Sequence, residues 1–284
     1  MHWINVTAAA SKDDLDLLET WFWDAGAVSV TVEDAQDDPI YEPPPGAQPL
    51  WGEILVTGLF ESDVQTDNLT NKLSLKGFQL RGIATLEDRP WEREWLIRFK
   101  PMKFGERLWV CPTGYSLDGA DKTIIQLDPG LAFGTGTHET THLCLEFLDS
   151  IDVTGMEVVD YGCGSGILAI GAALLGAKRV TCIDNDPQAL TATEENARRN
   201  NVTVVTGRPG MRLPQAELIM ANILAQPLIE LSSLLIEALK PEGLLVLSGI
   251  MSAQTEWVEA AYVNHVEKIE CTERDGWVRM VWRR

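Results

Sequence analysis

The chain has 284 residues, 45% of them hydrophobic, so it can bury a sizeable core and is neither disordered nor fibrous. At about 150 residues per domain the length favours two domains, although one large α/β domain is also possible. The 42 acidic and 23 basic residues give a formal net charge of -19. An acidic surface repels phosphate backbones and attracts basic proteins, which argues against a nucleic-acid binder; a role in solubility alone is the alternative.

Five cysteines are present and none belongs to a CxxC pair, so we expect neither a zinc site nor a disulfide framework. Reduced thiols are typical of the cytoplasm. The longest apolar stretch, residues 166–177, is too short to span a bilayer. We therefore expect a cytoplasmic protein that holds no metal and does not enter a membrane.

The first 86 residues alternate between strand-like and helical patterns. Apolar spacing from Leu15 to Ala25 predicts a helix that begins after Ser11 and ends at Gly26. The other elements are strands at 2–6, 27–32, 51–60 and 78–86 and a helix at 62–76, with a proline-rich loop at 39–49. The order β-α-β-β-α-β predicts a small ferredoxin-like α+β domain over residues 1–86. Such a domain is more often a docking unit than a catalytic one.

A short segment at 87–101 separates this domain from the rest of the chain. Pro90 suits the first turn of a helix, and Trp91, Trp95 and Phe99 follow at a spacing of four residues. The pattern predicts a linker helix that packs on one or both domains.

Strands and helices alternate again from residue 157 onward. Strands are predicted at 156–162, 179–184, 202–206, 217–222, 244–249, 265–272 and 277–282, and helices at 166–176, 187–200, 227–239 and 252–262. Asp186 would cap the helix that starts at Pro187. The alternation requires a mostly parallel sheet covered on both faces, and the last two strands would add an antiparallel hairpin. We assign residues 102–284 to this α/β domain.

The stretch DYGCGSG, residues 160–166, lies between a buried strand and a helix. Its glycines permit a tight turn and a close approach of a ligand to the backbone. The spacing is GxGxG, and Ile167 stands where a dinucleotide fingerprint has its third glycine. A GxxxxGK[ST] phosphate loop is also missing from the sequence.

Asp184 follows Gly162 by 22 residues, at the end of the next strand. A carboxylate there can accept hydrogen bonds from both ribose hydroxyls. Together with the glycine loop it indicates a nucleoside ligand without a pyrophosphate, which S-adenosylmethionine satisfies. We predict a Rossmann-like, seven-stranded class I methyltransferase domain; a dinucleotide or other nucleoside binder is the alternative.

Asn222 ends a strand and would lie at the rim of the ligand cleft. The Pro-Pro-aromatic sequence that clamps flipped bases does not follow it, and a simple turn residue is the alternative. Upstream, a glycine- and threonine-rich loop runs into a helix near His138, from which Thr141 could reach a bound cofactor. His138 and His142 are candidate bases, but each is more often simply a surface residue beside a helix start, since nothing in the sequence fixes a partner for either.

The sequence resembles the bacterial ribosomal protein L11 methyltransferase (PrmA) family. The resemblance rests on LWGEILVTGLF, RPWEREW, FGERLWVCP, LDPGLAFGTGTHETT, VVDYGCGSGILAIGAALLGA, CIDNDPQAL and ANILAQPL. It implies an N-terminal substrate-recognition domain, a linker, and an S-adenosylmethionine-dependent domain that trimethylates the N-terminal α-amine and lysines of a basic ribosomal protein. One departure is Glu139, where we expect proline in many relatives.

The resemblance also implies cofactor-binding roles for Thr141, Gly162, Asp184 and Asn222, and the loop adds Gly164; Asn222 is also the candidate catalytic residue. No acid or histidine in the motifs stands out as a general base, so we expect water to take the proton. We expect a monomer that does not contact nucleic acid directly. Two rival functions are methylation of another protein or RNA and non-catalytic binding to the ribosome.

Overall fold

The computed structural model describes residues 2–36, 52–87, 100–115, 122–128, 134 and 136–284. The chain divides into two compact units, Met1–Trp91 and Glu92–Arg284. The linker helix expected at 87–101 falls mainly on 88–99, outside the described residues, and so does the proline-rich loop at 39–49. The domain boundaries at 86 and 102 therefore remain predictions.

In the first unit, two helices cover one face of a four-stranded antiparallel sheet. The elements in chain order are β1 (His2–Ser11), α1 (Leu15–Asp24), β2 (Ser29–Asp34), β3 (Glu53–Glu61), α2 (Thr66–Leu75) and β4 (Gln79–Glu87). The strand order β2-β3-β1-β4 confirms the ferredoxin-like prediction. Strand β1 runs five residues beyond the predicted end at Val6, because Ala8 and Ala9 pair with both β3 and β4 and the residues after them pair with β3. Pairing in the centre of a sheet outweighs the low strand propensity of alanine.

The second unit opens with a three-stranded sheet that the sequence pattern did not indicate. It comprises β5 (Met102–Phe104), β6 (Leu108–Cys111) and β7 (Thr123–Gln126). Strands of three or four residues carry too little alternation to be recognised by periodicity. The side chains of Phe104, Leu108 and Ile125 are fully buried in the core of this unit.

The main sheet of the second unit has seven strands in the order β10-β9-β8-β11-β12-β14-β13. These are β8 (Glu157–Tyr161), β9 (Arg179–Ile183), β10 (Val205–Gly207), β11 (Ala216–Asn222), β12 (Leu239–Met251), β13 (Glu267–Arg274) and β14 (Trp277–Arg283). Neighbours from β10 to β12 are parallel, and β14 is antiparallel to both β12 and β13. The seven-stranded, mostly parallel sheet with a terminal hairpin is confirmed.

Both faces of this sheet are covered, and alternate residues of β8 belong to different cores. Val158 packs with the core that includes the helices α3 (Glu139–Ser150), α4 (Ile167–Leu174) and α5 (Pro187–Arg199). Val159 packs with the core that includes α6 (Ala225–Glu230), α7 (Ser232–Ala238) and α8 (Thr255–Ala260). Burial on both faces explains the continuous apolar strands of the sequence.

The helix predicted at 227–239 is two helices, α6 and α7, which are separated by Leu231. The N–H groups of Leu231 and Leu235 still donate to carbonyls four residues earlier, at 2.9 and 3.0 Å, so the break is slight. Among the described residues, no helix combines the length and the hydropathy that a membrane crossing requires.

Candidate functional site at the carboxyl edge of the sheet

The glycine loop lies directly after β8, where the strand order reverses between β8 and β11. Open α/β sheets bind their ligands at such a switch point. Gly162 has φ of +77°, and a Cβ atom there would lie 2.1 Å from Cγ2 of Ile223. Gly166 has φ of +79°, and its Cβ would lie 2.8 Å from Cγ2 of Thr193. Only glycine fits these two positions, since a side chain would be strained and would clash.

Three side chains that the sequence did not single out hold the backbone of the loop in place. Thr193 Oγ1 donates to the carbonyl of Gly164 at 3.0 Å, and Asn196 Nδ2 donates to the carbonyl of Ser165 at 2.9 Å. Ser165 Oγ in turn donates to the carbonyl of Gly134 at 2.6 Å. Thr193 and Asn196 lie three residues apart on α5 and are both buried. The signal available in the sequence was two polar side chains on one face of a helix.

Asp184 follows β9 at the same edge and faces the glycine loop. Its Oδ2 accepts a hydrogen bond from the N–H of Gly164 at 2.9 Å, and its Oδ1 accepts one from the N–H of Asp186 at 3.0 Å. A carboxylate offers about four acceptor positions, so each oxygen keeps capacity for a further donor. Two such oxygens can accept the adjacent hydroxyls of a ribose.

Asp160 is the last acid before the loop and is only 1% exposed. Its Oδ2 accepts a hydrogen bond from the N–H of Ala169 in the first turn of α4 at 3.0 Å. No donor among the described residues reaches its Oδ1. Burial, together with the nearby charge of Asp184, raises the pKa of this carboxyl to about 7, and the bond from Ala169 opposes the shift.

Thr141 and Asn222, which are 81 residues apart in sequence, meet at this edge. Asn222 is the last residue of β11, and its Nδ2 donates to the hydroxyl of Thr141 at 3.4 Å. Thr141 is fully buried in the first turn of α3. The loop that leads into this helix lies largely outside the described residues, at 129–133 and 135.

The two candidate histidines have structural partners. His138 is the N-cap of α3, and its Nδ1 accepts from the N–H of Thr140. Desolvation lowers its pKa, although Glu139 opposes this, and the shift favours the neutral ring that such a cap requires. His142 Nε2 lies 3.0 Å from a carboxylate oxygen of Glu146. Its ring packs on Phe104 with the centroids 4.6 Å apart.

The geometry thus brings together the glycine loop, Asp184 and the Thr141–Asn222 pair at one edge of the sheet. The glycine loop exposes backbone to a ligand, the Asp184 carboxylate offers two acceptors for a ribose, and Asn222 places an amide at the rim of the cleft. Asp186 caps α5 as the sequence predicted, because its Oδ1 accepts from the N–H of Gln188 at 2.8 Å.

Comparison with known proteins gives a consistent result. A family model described as ribosomal protein L11 methyltransferase (PrmA) matches residues 2–284. A protein of that name from Marinobacter nauticus is 45% identical over 297 aligned positions, which cover 100% of this chain and 99% of the relative. One from Methylococcus capsulatus is 46% identical and covers 98% of each chain.

Among solved structures, a ribosomal protein L11 methylase from Lactobacillus delbrueckii subsp. bulgaricus aligns with a TM-score of 0.60 at 30% identity. The alignment covers 66% of this chain and 98% of the solved one. This chain therefore belongs to the ribosomal protein L11 methyltransferase (PrmA) family.

Proposed function

We propose that this chain transfers methyl groups from S-adenosylmethionine to ribosomal protein L11, on its N-terminal α-amine and on lysine side chains. The observation that carries the proposal is the convergence of the glycine loop, Asp184 and the Thr141–Asn222 pair at the switch point of the sheet. The similarity to ribosomal protein L11 methyltransferases, which the chain matches over nearly their whole length, supports the substrate.

The residues at this edge fit S-adenosylmethionine as cofactor. We assign the ribose hydroxyls to the two carboxylate oxygens of Asp184 and the remainder of the nucleoside to the backbone at Gly162 and Gly164. Thr141 and Asn222 would hold the amino-acid end. When bound, the cofactor supplies an electrophilic methyl group on a positively charged sulfur.

Asn222 is the residue we assign to the reacting amine. Because its Nδ2 donates to Thr141, its carbonyl oxygen is the atom that can accept an N–H of the incoming substrate. An amine held this way presents its lone pair along one direction, and such positioning lowers the barrier by several kcal/mol.

The amine must be neutral to react. Reference pKa values are about 7.7–8.0 for an α-amine and about 10.4 for a lysine, and desolvation beside a positive charge lowers both. His138 and His142 are engaged with Thr140 and Glu146, so we assign neither as a base. Water accepts the proton in this scheme.

The remaining assignments follow from the substrate. We propose that residues 1–86 recognise the protein substrate, that 87–101 link the domains and that 102–284 carry catalysis. The net charge of -19 on this chain favours binding of a basic protein substrate and disfavours direct contact with nucleic acid. We propose a monomer that works in the cytoplasm, where ribosomal proteins are made.

The test combines full-length L11 with the Asp184→Ala variant. Wild type should label L11 from radioactive S-adenosylmethionine, and Asp184→Ala should lose at least about 100-fold in rate while still binding L11. Asp186→Ala is the matched control, because this neighbouring acid only caps α5 and should stay within about threefold of wild type.

If wild type leaves L11 unlabelled, the proposed substrate is wrong. If Asp184→Ala labels L11 at the wild-type rate, the assignment of the cofactor site is wrong. An Asp184→Ala variant that keeps every cellular role of wild type would instead favour a non-catalytic ribosome-binding protein.

A further inference from the structure

Arg279 places a buried guanidinium in the terminal hairpin, far along the chain from the glycine loop. It lies in β14 and is 5% exposed, and its Cζ lies 5.0 Å from the ring centroid of Phe147. A buried charge is costly unless it is paired and hydrogen-bonded. The hydrogen-bond partners of the guanidinium therefore show which elements of the fold it connects.

The guanidinium joins three elements. Its Nη1 donates to the carbonyl of Leu143 in α3 at 2.6 Å. Its Nη2 donates to the hydroxyl of Thr272 at 3.0 Å and to the carboxylate of Glu270, both in β13. Arg279 thus fastens the backbone of α3 to both strands of the hairpin, with a planar fork that a lysine cannot reproduce.

A second arginine of the hairpin contacts the same helix from the surface. Arg274 Nε lies 2.5 Å from a carboxylate oxygen of Glu139, and Nη1 lies 3.4 Å from one of Glu146. The side chains of these groups are 31–40% exposed, so solvent partly screens the two ion pairs and weakens them. The buried contact of Arg279 is therefore the stronger restraint on α3.

The helix that Arg279 holds is the one that carries Thr141. Leu143 follows Thr141 by two residues, and Thr141 meets Asn222 at 3.4 Å, near the upper limit of a hydrogen bond. A shift of α3 by a few tenths of an ångström would break that contact. A binding site needs its side chains fixed within about 0.5 Å, and the hairpin supplies the restraint here.

We propose that Arg279 is a positioning residue of the cofactor site, which fixes α3 against the terminal hairpin so that Thr141 can meet Asn222. The proposal rests on the proposed function, since it assigns these two residues to the cofactor. Arg279 itself touches neither of them and acts through the helix backbone.

The test measures binding of S-adenosylhomocysteine by calorimetry in Arg279→Met and Arg279→Lys. We expect Arg279→Met to weaken binding at least about tenfold and Arg279→Lys to fall between it and wild type, with the KM for L11 within about twofold. Hydrogen exchange in the ligand-free protein should show faster exchange in the first turn of α3. A change in melting temperature alone would indicate a merely structural residue and would overturn the proposal.

Arg274→Met is the control, because it removes only the partly exposed ion pairs with the same helix, and its affinity should stay within about twofold. An equal loss in this control would overturn the specific role of Arg279. Should Arg279→Met fail to fold, Glu270→Gln decides the question, since it removes the carboxylate charge that orients Nη2 of Arg279 and should reduce affinity about threefold. Unchanged binding in a folded variant would refute the proposal, whereas wild type that binds the ligand but leaves L11 unmethylated would refute only the proposed function.

Discussion

Replacing Asp160 by asparagine should make the stability of the protein less sensitive to pH. Burial raises the pKa of this carboxyl from 3.8 to about 7. A raised pKa in the folded state means that the contribution to stability is complete at low pH and is lost as the pH rises through 7. Between about pH 5.5 and pH 8 the wild type should lose about 2 kcal/mol from this group, at 1.36 kcal/mol per pKa unit.

Asp160→Asn keeps an oxygen that can accept from the N–H of Ala169 but cannot ionise. Urea unfolding at both pH values gives the free energy of unfolding for each protein, and the variant should gain about 2 kcal/mol on wild type over this interval. Asp152→Asn is the control, because hydrogen bonds from Thr154 lower the pKa of that exposed acid and it does not titrate there. A difference between Asp160→Asn and wild type that is the same at both pH values would refute the reasoning.

Three further substitutions test the geometry of the site. Gly249→Ala should cost more than about 3 kcal/mol in urea unfolding, since its Cβ would lie 2.2 Å from the carbonyl oxygen of Ile223 at φ of +85°; a neutral result would contradict the close approach. Thr141→Val, which removes the hydroxyl bonded to Asn222, should weaken cofactor binding about tenfold by calorimetry while Thr141→Ser preserves it. His142→Gln should keep the methylation rate within about threefold, and a loss above about 100-fold would identify a base.

Much of the candidate site could be predicted from motifs that are local in the sequence. Asp184 and the loop from Gly162 to Gly166 belong to a single strand–helix–strand unit, so spacing alone relates them. The cap at Asp186 and the proline after it are likewise local, and the structure confirms that cap. These features can be predicted from the sequence because residues that lie close together in the chain determine them.

Contacts between distant residues could not be derived in this way. Thr141 and Asn222 are individually visible, but nothing in the sequence pairs residues 81 positions apart. Arg279 and Leu143, which are hydrogen-bonded, lie 136 positions apart. Arginine side chains are mostly exposed, so nothing in the sequence indicated that this one is buried. The short strands β5 to β7 escape detection for a different reason, since their apolar runs are below the length that periodicity requires.

The most direct test of the central claim offers several substrates at once. Purified enzyme, labelled S-adenosylmethionine, L11, the other large-subunit ribosomal proteins and ribosomal RNA are incubated together, and each component is then analysed by mass. We predict methyl groups on L11 alone, at its N-terminus and on lysines. Label on RNA or on a different protein, with L11 unmodified, would contradict the account.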